Sequence, residues 1–243
     1  MIFKKLEQKA LELRQKTFDA FVEKGEAHLG GSFSMIEVLL FVYENFLEKK
    51  DKFILSKAHA SFPLCILLKE KGFNTKIKTH LEIDEKNGIN CTTGSLGHGL
   101  PIATGMAFAR KKLNKKGKIV VLISDGECQE GTTWESLLIA SKHKLDNLFI
   151  IIDYNKLQAL SKLQDALPLN NLLKKFQSFN CNCVEVKNGH NFKSLEKAFK
   201  KNKKYEKPNV IIVNTIKGKG IKEFENDTVS VSYTHLRAHE TDS

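Results

Sequence analysis

Short, β-branched apolar runs recur along this chain and are separated by helical patterns. Residues 118–124 (KIVVLIS), 148–153 (LFIIID) and 209–214 (NVIIVN) are apolar at successive positions and too short for typical helices. Such runs are typical of strands that are buried on both faces of a sheet. We therefore expect an α/β fold in which a parallel β-sheet carries helices on both faces.

The first part of the chain is expected to be helical, with glycine-rich turns. Residues 3–24 carry apolar side chains at helical spacing. A further helix is expected from Ser34 to about residue 47, because Ser34 and Glu37 have the spacing of a capping box.

Residues 1–228 are predicted to form one domain. Residues 229–243 lack the Lys and Asn bias of the preceding chain, and we interpret them as a non-native or disordered tail.

Charge and hydropathy restrict the classes of partner. The formal net charge of the 243-residue chain is +11, but the excess is scattered lysine and only three residues are arginine. Because nucleic-acid readers favour the bidentate guanidinium, we interpret the charge as solvated surface and expect no nucleic-acid partner. A non-catalytic basic binding module remains the alternative.

No apolar run approaches the roughly 20 residues that span a bilayer. We expect a cytoplasmic protein without a membrane partner.

Polar residues follow two successive strands of the predicted sheet. Asp125 and Gly126 come directly after the strand at residues 118–124, and Asn155 follows the next strand thirty positions later. Ligands of open α/β sheets bind at the carboxyl ends of strands. The Asp125 carboxylate, the Asn155 amide oxygen and the Leu157 backbone carbonyl are hard ligands that suit Mg²⁺ together with phosphate oxygens. The alternative is an ordinary Ser-Asp-Gly surface turn with an unrelated asparagine.

Other polar residues near this position have two interpretations each. Glu130 lies where the crossover helix begins, so it is either a helix cap or a buried functional carboxylate. His28, His59 and His80 lie in turns rather than on apolar faces. They are either solvated loop side chains or a cluster that handles protons and substrate hydroxyls.

Four segments resemble, in the same order, segments of the N-terminal, diphosphate-binding part of transketolases. They are residues 28–39, 51–60, 92–107 and 124–135. The resemblance covers about residues 5–226 and is greatest to bacterial and archaeal forms that are divided into two subunits. Two departures are local: Ser124 stands where the family usually has glycine, and Leu29 where it has proline.

The resemblance implies a role for each matching residue. Mg²⁺, with Ca²⁺ or Mn²⁺ as alternatives, would be bound by Asp125, Asn155 and the carbonyl of Leu157. Thiamine diphosphate would be contacted by His59, Gly94, Ser95, Leu96, Gly126, Glu130, Asn155 and Lys217. The catalytic set would be His28 and His80, which contact the sugar, and Glu130, which lies at a dimer interface near the cofactor.

The implied activity is transfer of a two-carbon ketol unit between sugar phosphates. Transketolase chemistry needs a second domain, which this sequence does not contain. We therefore expect activity only with a C-terminal transketolase subunit, in a dimer of heterodimers. The alternative within the superfamily is the N-terminal half of a deoxyxylulose-phosphate synthase. The Ser-Leu-Gly-His-Gly-Leu-Pro run at residues 95–101 favours transketolase.

Overall fold

The computed structural model describes residues 2–25, 28–158, 161–201 and 206–227. One five-stranded parallel sheet has the order β1-β2-β3-β5-β4. Its strands are β1 (Lys52–Leu55), β2 (Ile119–Ser124), β3 (Leu148–Tyr154), β4 (Asn182–Val186) and β5 (Asn209–Asn214). The α-helices among the described residues are α1 (Ile2–Lys24), α2 (Leu29–Ser34), α3 (Ile36–Phe41), α4 (Phe62–Glu70), α5 (Gly99–Lys112), α6 (Gly131–Lys142), α7 (Leu163–Ala166), α8 (Leu172–Ser178) and α9 (Phe192–Lys201).

Alternate side chains of each central strand enter two separate cores. In β2, Val120 and Leu122 pack with residues of α1, α3, α4 and α9 on one face of the sheet. Val121 and Ile123 pack with residues of α5, α6 and α8 on the other face. Because successive side chains of a strand point to opposite faces, a continuous apolar run is what a doubly covered sheet requires. The predicted fold class is confirmed.

The capping box predicted at Ser34 does not form. Helix α2 ends at Ser34, and α3 begins after Met35 and continues as a π-helical turn over Val42–Phe46. The Ser34 hydroxyl donates to the Asp153 carboxylate, while Glu37 binds Arg14. Both side chains bind buried partners from distant parts of the chain, so neither makes the local hydrogen bonds of a capping box.

Two further expectations concern the ends and the surface of the chain. The predicted domain boundary at residue 228 and the tail at residues 229–243 lie outside the described residues. Among the helices that the structure describes, none combines the length and the apolar character that a membrane crossing needs.

Candidate functional site

The carboxyl ends of β2 and β3 lie side by side. Ser124 is paired with Asp153 across the two strands, and the Asp125 N–H donates to the Asp153 carbonyl at 3.2 Å. Asn155 follows two residues after Asp153. The sheet register therefore brings the two predicted metal ligands, Asp125 and Asn155, to the same edge.

Asp125 is a buried carboxylate held by backbone donors. Its Oδ1 accepts the Gly126 N–H at 2.9 Å and its Oδ2 accepts the Lys156 N–H at 2.6 Å, while only 2% of the residue is exposed. Burial, followed by the nearby charge of Asp153, raises the pKa of Asp125 to about 7. A divalent cation would stabilise the ionised form of such a carboxylate, so this residue fits a metal ligand.

The turn after β3 supplies the other predicted oxygen ligands. The Asn155 side-chain oxygen accepts the Leu157 N–H at 3.0 Å, and Lys156 between them has a left-handed φ of 67°. No group of three or more His, Cys, Asp or Glu side chains that could hold a metal occurs in the described segments. One carboxylate supported by amide and carbonyl oxygens suits a hard cation that also takes phosphate oxygens.

Glu127 is a buried residue of this edge that the sequence did not indicate. Its Oε1 accepts the Ser56 hydroxyl and the Gly97 N–H, the latter at 3.0 Å, and its Oε2 accepts the Ser124 N–H at 2.8 Å. The residue is 0% exposed. Ser56 in turn accepts the N–H of Gly99, the first residue of α5, at 3.1 Å. Glu127 thus joins the end of β2 to the glycine-rich turn at residues 94–99.

A second unpredicted feature is a buried ion pair between Lys57 and Asp153. Their side chains are 1% and 0% exposed, and the Lys57 ammonium also donates to the Gly31 carbonyl at 2.9 Å. The Asp153 carboxylate further accepts the hydroxyls of Ser34 and Thr215. Burial alone would raise the pKa of Asp153, but Lys57 and these hydroxyls lower it below its usual value. The pair connects β1, α2, β3 and the segment after β5.

Two of the predicted histidines lie together beside this ion pair. The rings of His28 and His59 are 5.2 Å apart in an edge-to-face arrangement. Burial and then Lys57 lower the pKa of His59 to about 3, while burial and then Lys217 lower the pKa of His28. Both imidazoles are therefore neutral at physiological pH, and they can accept or donate hydrogen bonds without adding charge.

Four other predicted residues, His80, Ser95, Leu96 and Glu130, are exposed and form the outer half of the site. His80 packs on Gly94, where a Cβ would come within 2.5 Å of the His80 ring. Ser95 and Leu96 are exposed. Glu130 is exposed at the start of α6, and its side chain makes no capping hydrogen bond. Glu130 thus occupies the N-cap position of α6 without acting as a side-chain cap, and the expectation that its carboxylate is buried is wrong.

Lys217 reaches the site from the segment after β5. It is 6% exposed, and its ammonium donates to the Gln158 carbonyl at 2.7 Å. Burial and the neighbouring charge of Lys57 lower the pKa of Lys217, whereas Asp125 acts in the opposite direction. The charge of Lys57 is already compensated by Asp153, so of these two ammonium groups it is Lys217 that suits an anion at this edge.

Comparison with known proteins agrees with this geometry. The family model "Transketolase, thiamine diphosphate binding domain" matches residues 7–243. The chain is 35% identical to one subunit of the apulose-4-phosphate transketolase of Actinobacillus succinogenes, with 92% of this chain and 88% of that subunit covered. It is 33% identical to a 6-deoxy-6-sulfo-D-fructose transketolase subunit of a Clostridium species, with 88% and 86% covered.

A solved structure gives the same result. The crystal structure of transketolase from Campylobacter jejuni superposes with a TM-score of 0.82 at 29% identity, over 90% of this chain and 39% of the other. The chain thus spans most of the length of separate transketolase subunits and about two fifths of a transketolase that is a single long chain. This chain belongs to the transketolase family, in which it represents the thiamine diphosphate binding domain.

Proposed function

We propose that this chain is the diphosphate-binding subunit of a transketolase divided into two chains, and that it transfers a two-carbon ketol unit between sugar phosphates. The proposal rests mainly on the strand edge that brings Asp125 and Asn155 together, with the Lys217 ammonium beside it. Hard oxygen ligands and fixed positive charge are what a Mg²⁺–diphosphate group requires.

Different residues of this chain would bind the metal, the cofactor and the sugar. Asp125, Asn155 and the Leu157 carbonyl would bind Mg²⁺. Gly126 leaves room for a phosphate oxygen, because a Cβ there would meet, among the described residues, only Ser124 Oγ at 3.9 Å. His59, Lys217 and the turn at residues 94–96 would contact thiamine diphosphate. When bound, that cofactor supplies the carbanion chemistry of ketol transfer. His28 and His80 would hold the sugar hydroxyls, and Glu130 would lie at the interface with another subunit.

The length comparison supports a requirement for a partner. The relatives that this chain covers to 88% and 86% are named as subunits, so each works with at least one further chain. We infer that a C-terminal transketolase subunit completes the site, in a dimer of heterodimers. One sugar named for those relatives carries a phosphate and the other a sulfonate, so the names support an anionic ketose as the donor class. Within that class we propose a ketose phosphate donor and an aldose phosphate acceptor.

Cofactor binding by the Asp125→Ala variant tests the proposal. We expect the affinity of the two-subunit complex for thiamine diphosphate in the presence of Mg²⁺ to fall by about a hundredfold or more, as measured by calorimetry. Loss of a residue that only supports a metal ligand already lowers metal affinity by up to about a hundredfold, and Asp125 is proposed as a ligand itself. Asp19→Ala, which removes an exposed carboxylate of α1, is the matched control and should leave the affinity unchanged. An unchanged affinity of the Asp125→Ala complex would contradict the metal assignment.

A reconstitution assay tests the partner requirement. Ketol transfer from a ketose phosphate should appear only when the chain is mixed with the C-terminal transketolase subunit of the same organism. Transfer by the isolated chain at a comparable rate would show that no partner is needed.

A further inference from the structure

The backbone that carries Lys217 is fixed from several sides. The Thr215 hydroxyl donates to the Asp153 carboxylate, the Ile216 N–H donates to His190 Nε2 at 2.9 Å, and the Gly218 N–H donates to the Gly30 carbonyl at 3.1 Å. We call residues 215–220 the Lys217 segment. Successive residues of this segment are thus tied to β3, to the turn before α9 and to α2.

His190 is in turn part of a buried cluster with Glu37 and Arg14. His190 Nδ1 lies 2.9 Å from Glu37 Oε2, and Arg14 Nη2 donates to Glu37 Oε1 at 2.8 Å. The three side chains are each about nine-tenths buried. Since Nε2 of His190 accepts the Ile216 N–H, Nδ1 must carry the proton that is donated to Glu37. The contacts on both ring nitrogens therefore define the tautomer and the orientation of the imidazole.

The same cluster touches the far end of the Lys217 segment. Gly220 has a φ of 104°, and a Cβ there would lie 2.5 Å from Arg14 Cδ. Arg14 therefore packs directly on Gly220, while His190 binds Ile216. The two anchors lie on either side of Lys217, so they restrict where its backbone can be.

A buried lysine needs this restriction. Burial and the charge of Lys57 both disfavour the Lys217 ammonium in its present position, and a four-carbon side chain can turn to water when its backbone is free to move. Glu37 is ionised, because His190 and Arg14 lower its pKa even though burial by itself raises it. A charged, hydrogen-bonded cluster holds one geometry better than apolar packing does.

We propose that Arg14, Glu37 and His190 form a positioning cluster that holds the Lys217 segment so that the Lys217 ammonium faces the diphosphate. None of the three is a catalytic residue. The inference rests on the proposed function, since it assumes that Lys217 contacts the diphosphate of the cofactor.

A double-mutant cycle on the two-subunit complex tests the coupling. His190→Ala should weaken the binding of thiamine diphosphate by up to about tenfold, because the energy of the lost hydrogen bond is the upper limit of what positioning the segment can contribute to binding. In the Lys217→Ala background, His190→Ala should cause no further loss, because the group it positions is gone. Equal losses in both backgrounds, or no loss in the unmodified background, would overturn the inference.

Two variants separate positioning from general damage. His190→Gln retains an acceptor for the Ile216 N–H and should recover most of the affinity, and it serves as the test variant if His190→Ala does not fold. His143→Ala, which removes an imidazole packed on Phe108, should not change the affinity. The KM for thiamine diphosphate should rise in His190→Ala while kcat at saturating cofactor changes less than about twofold. A lower kcat at unchanged KM would contradict positioning of Lys217.

The outcome of the Asp125→Ala experiment distinguishes the two proposals. If Asp125→Ala abolishes cofactor binding and His190→Ala leaves it intact, only the positioning cluster is wrong. If Asp125→Ala binds the cofactor normally, the proposed function itself fails.

Discussion

The inner and outer halves of the site differ in how far this chain completes them. In the inner half, Lys57, Asp125, Glu127 and Asp153 are each at most 2% exposed and are hydrogen-bonded to partners from several elements. In the outer half, His80, Ser95, Leu96 and Glu130 are exposed to solvent.

The difference follows from the cost of burying charge. Lys57, Glu127 and Asp153 are buried together with their ionic or hydrogen-bond partners, so this part of the inner half is organised before any ligand arrives. Asp125, whose pKa burial raises to about 7, is the carboxylate of this half that a cation would still stabilise. The outer half has no such cost, because water still solvates its side chains. If the chain works with a second subunit, we expect that subunit to cover the outer half. Substitutions in the inner half should therefore change stability, and those in the outer half should change only activity.

The largest effect on stability is expected for Lys57→Ala. Removing the ammonium leaves the Asp153 carboxylate buried without its charged partner, which costs about 3–5 kcal/mol in the free energy of unfolding. Urea denaturation of the isolated chain measures this loss. The control is Lys16→Ala, which breaks an exposed ion pair with Glu70 and should cost less than about 1 kcal/mol. If the two variants lose the same free energy of unfolding, the buried ion pair of the inner half contributes no more to stability than an exposed one.

A smaller, pH-dependent effect is expected for His59→Gln. The pKa of His59 is about 3 in the folded chain and 6.5 ordinarily, so the unfolded state binds more protons between these values. The stability contributed by His59 is therefore lost as pH falls from 6.5 towards 3. Glutamine does not titrate, so the variant should gain about 1–2 kcal/mol relative to the original chain between pH 8 and pH 5.

Urea denaturation of both forms at the two pH values checks this expectation. The pKa of His28 is also lowered, so the variant should retain part of the pH dependence. A difference between variant and original that is the same at pH 8 and pH 5 would show that His59 is not held in its neutral form.

The smallest effect on stability is expected for His80→Ala in the outer half. His80 is exposed and its ring packs on Gly94, so the free energy of unfolding should change by less than about 0.5 kcal/mol. If His80 contacts the sugar, ketol transfer by the two-subunit complex should fall by about a hundredfold, as measured by kcat/KM. A loss of stability without a loss of activity would place His80 in the scaffold instead.

Much of the fold was predictable because its signals are local. The apolar run at residues 209–214 coincides with β5, and the helical spacing at residues 3–24 coincides closely with α1. Local signals were misleading where buried partners competed with them. Ser34 and Glu37 have the spacing of a capping box, but Ser34 binds Asp153, and Glu37 binds Arg14 and His190.

The parallel sheet and the edge on which Asp125 and Asn155 lie were predictable from the sequence alone, because apolar patterns and the alternation of strands and helices along the chain follow from short stretches of residues. The position of β5 between β3 and β4, and the identity of the polar groups that are buried in pairs, became known only from the three-dimensional structure. Ser56 and Glu127 are 71 positions apart, and Lys57 and Asp153 are 96 apart. Such contacts leave no periodic pattern, since each depends on how distant strands and turns meet in space.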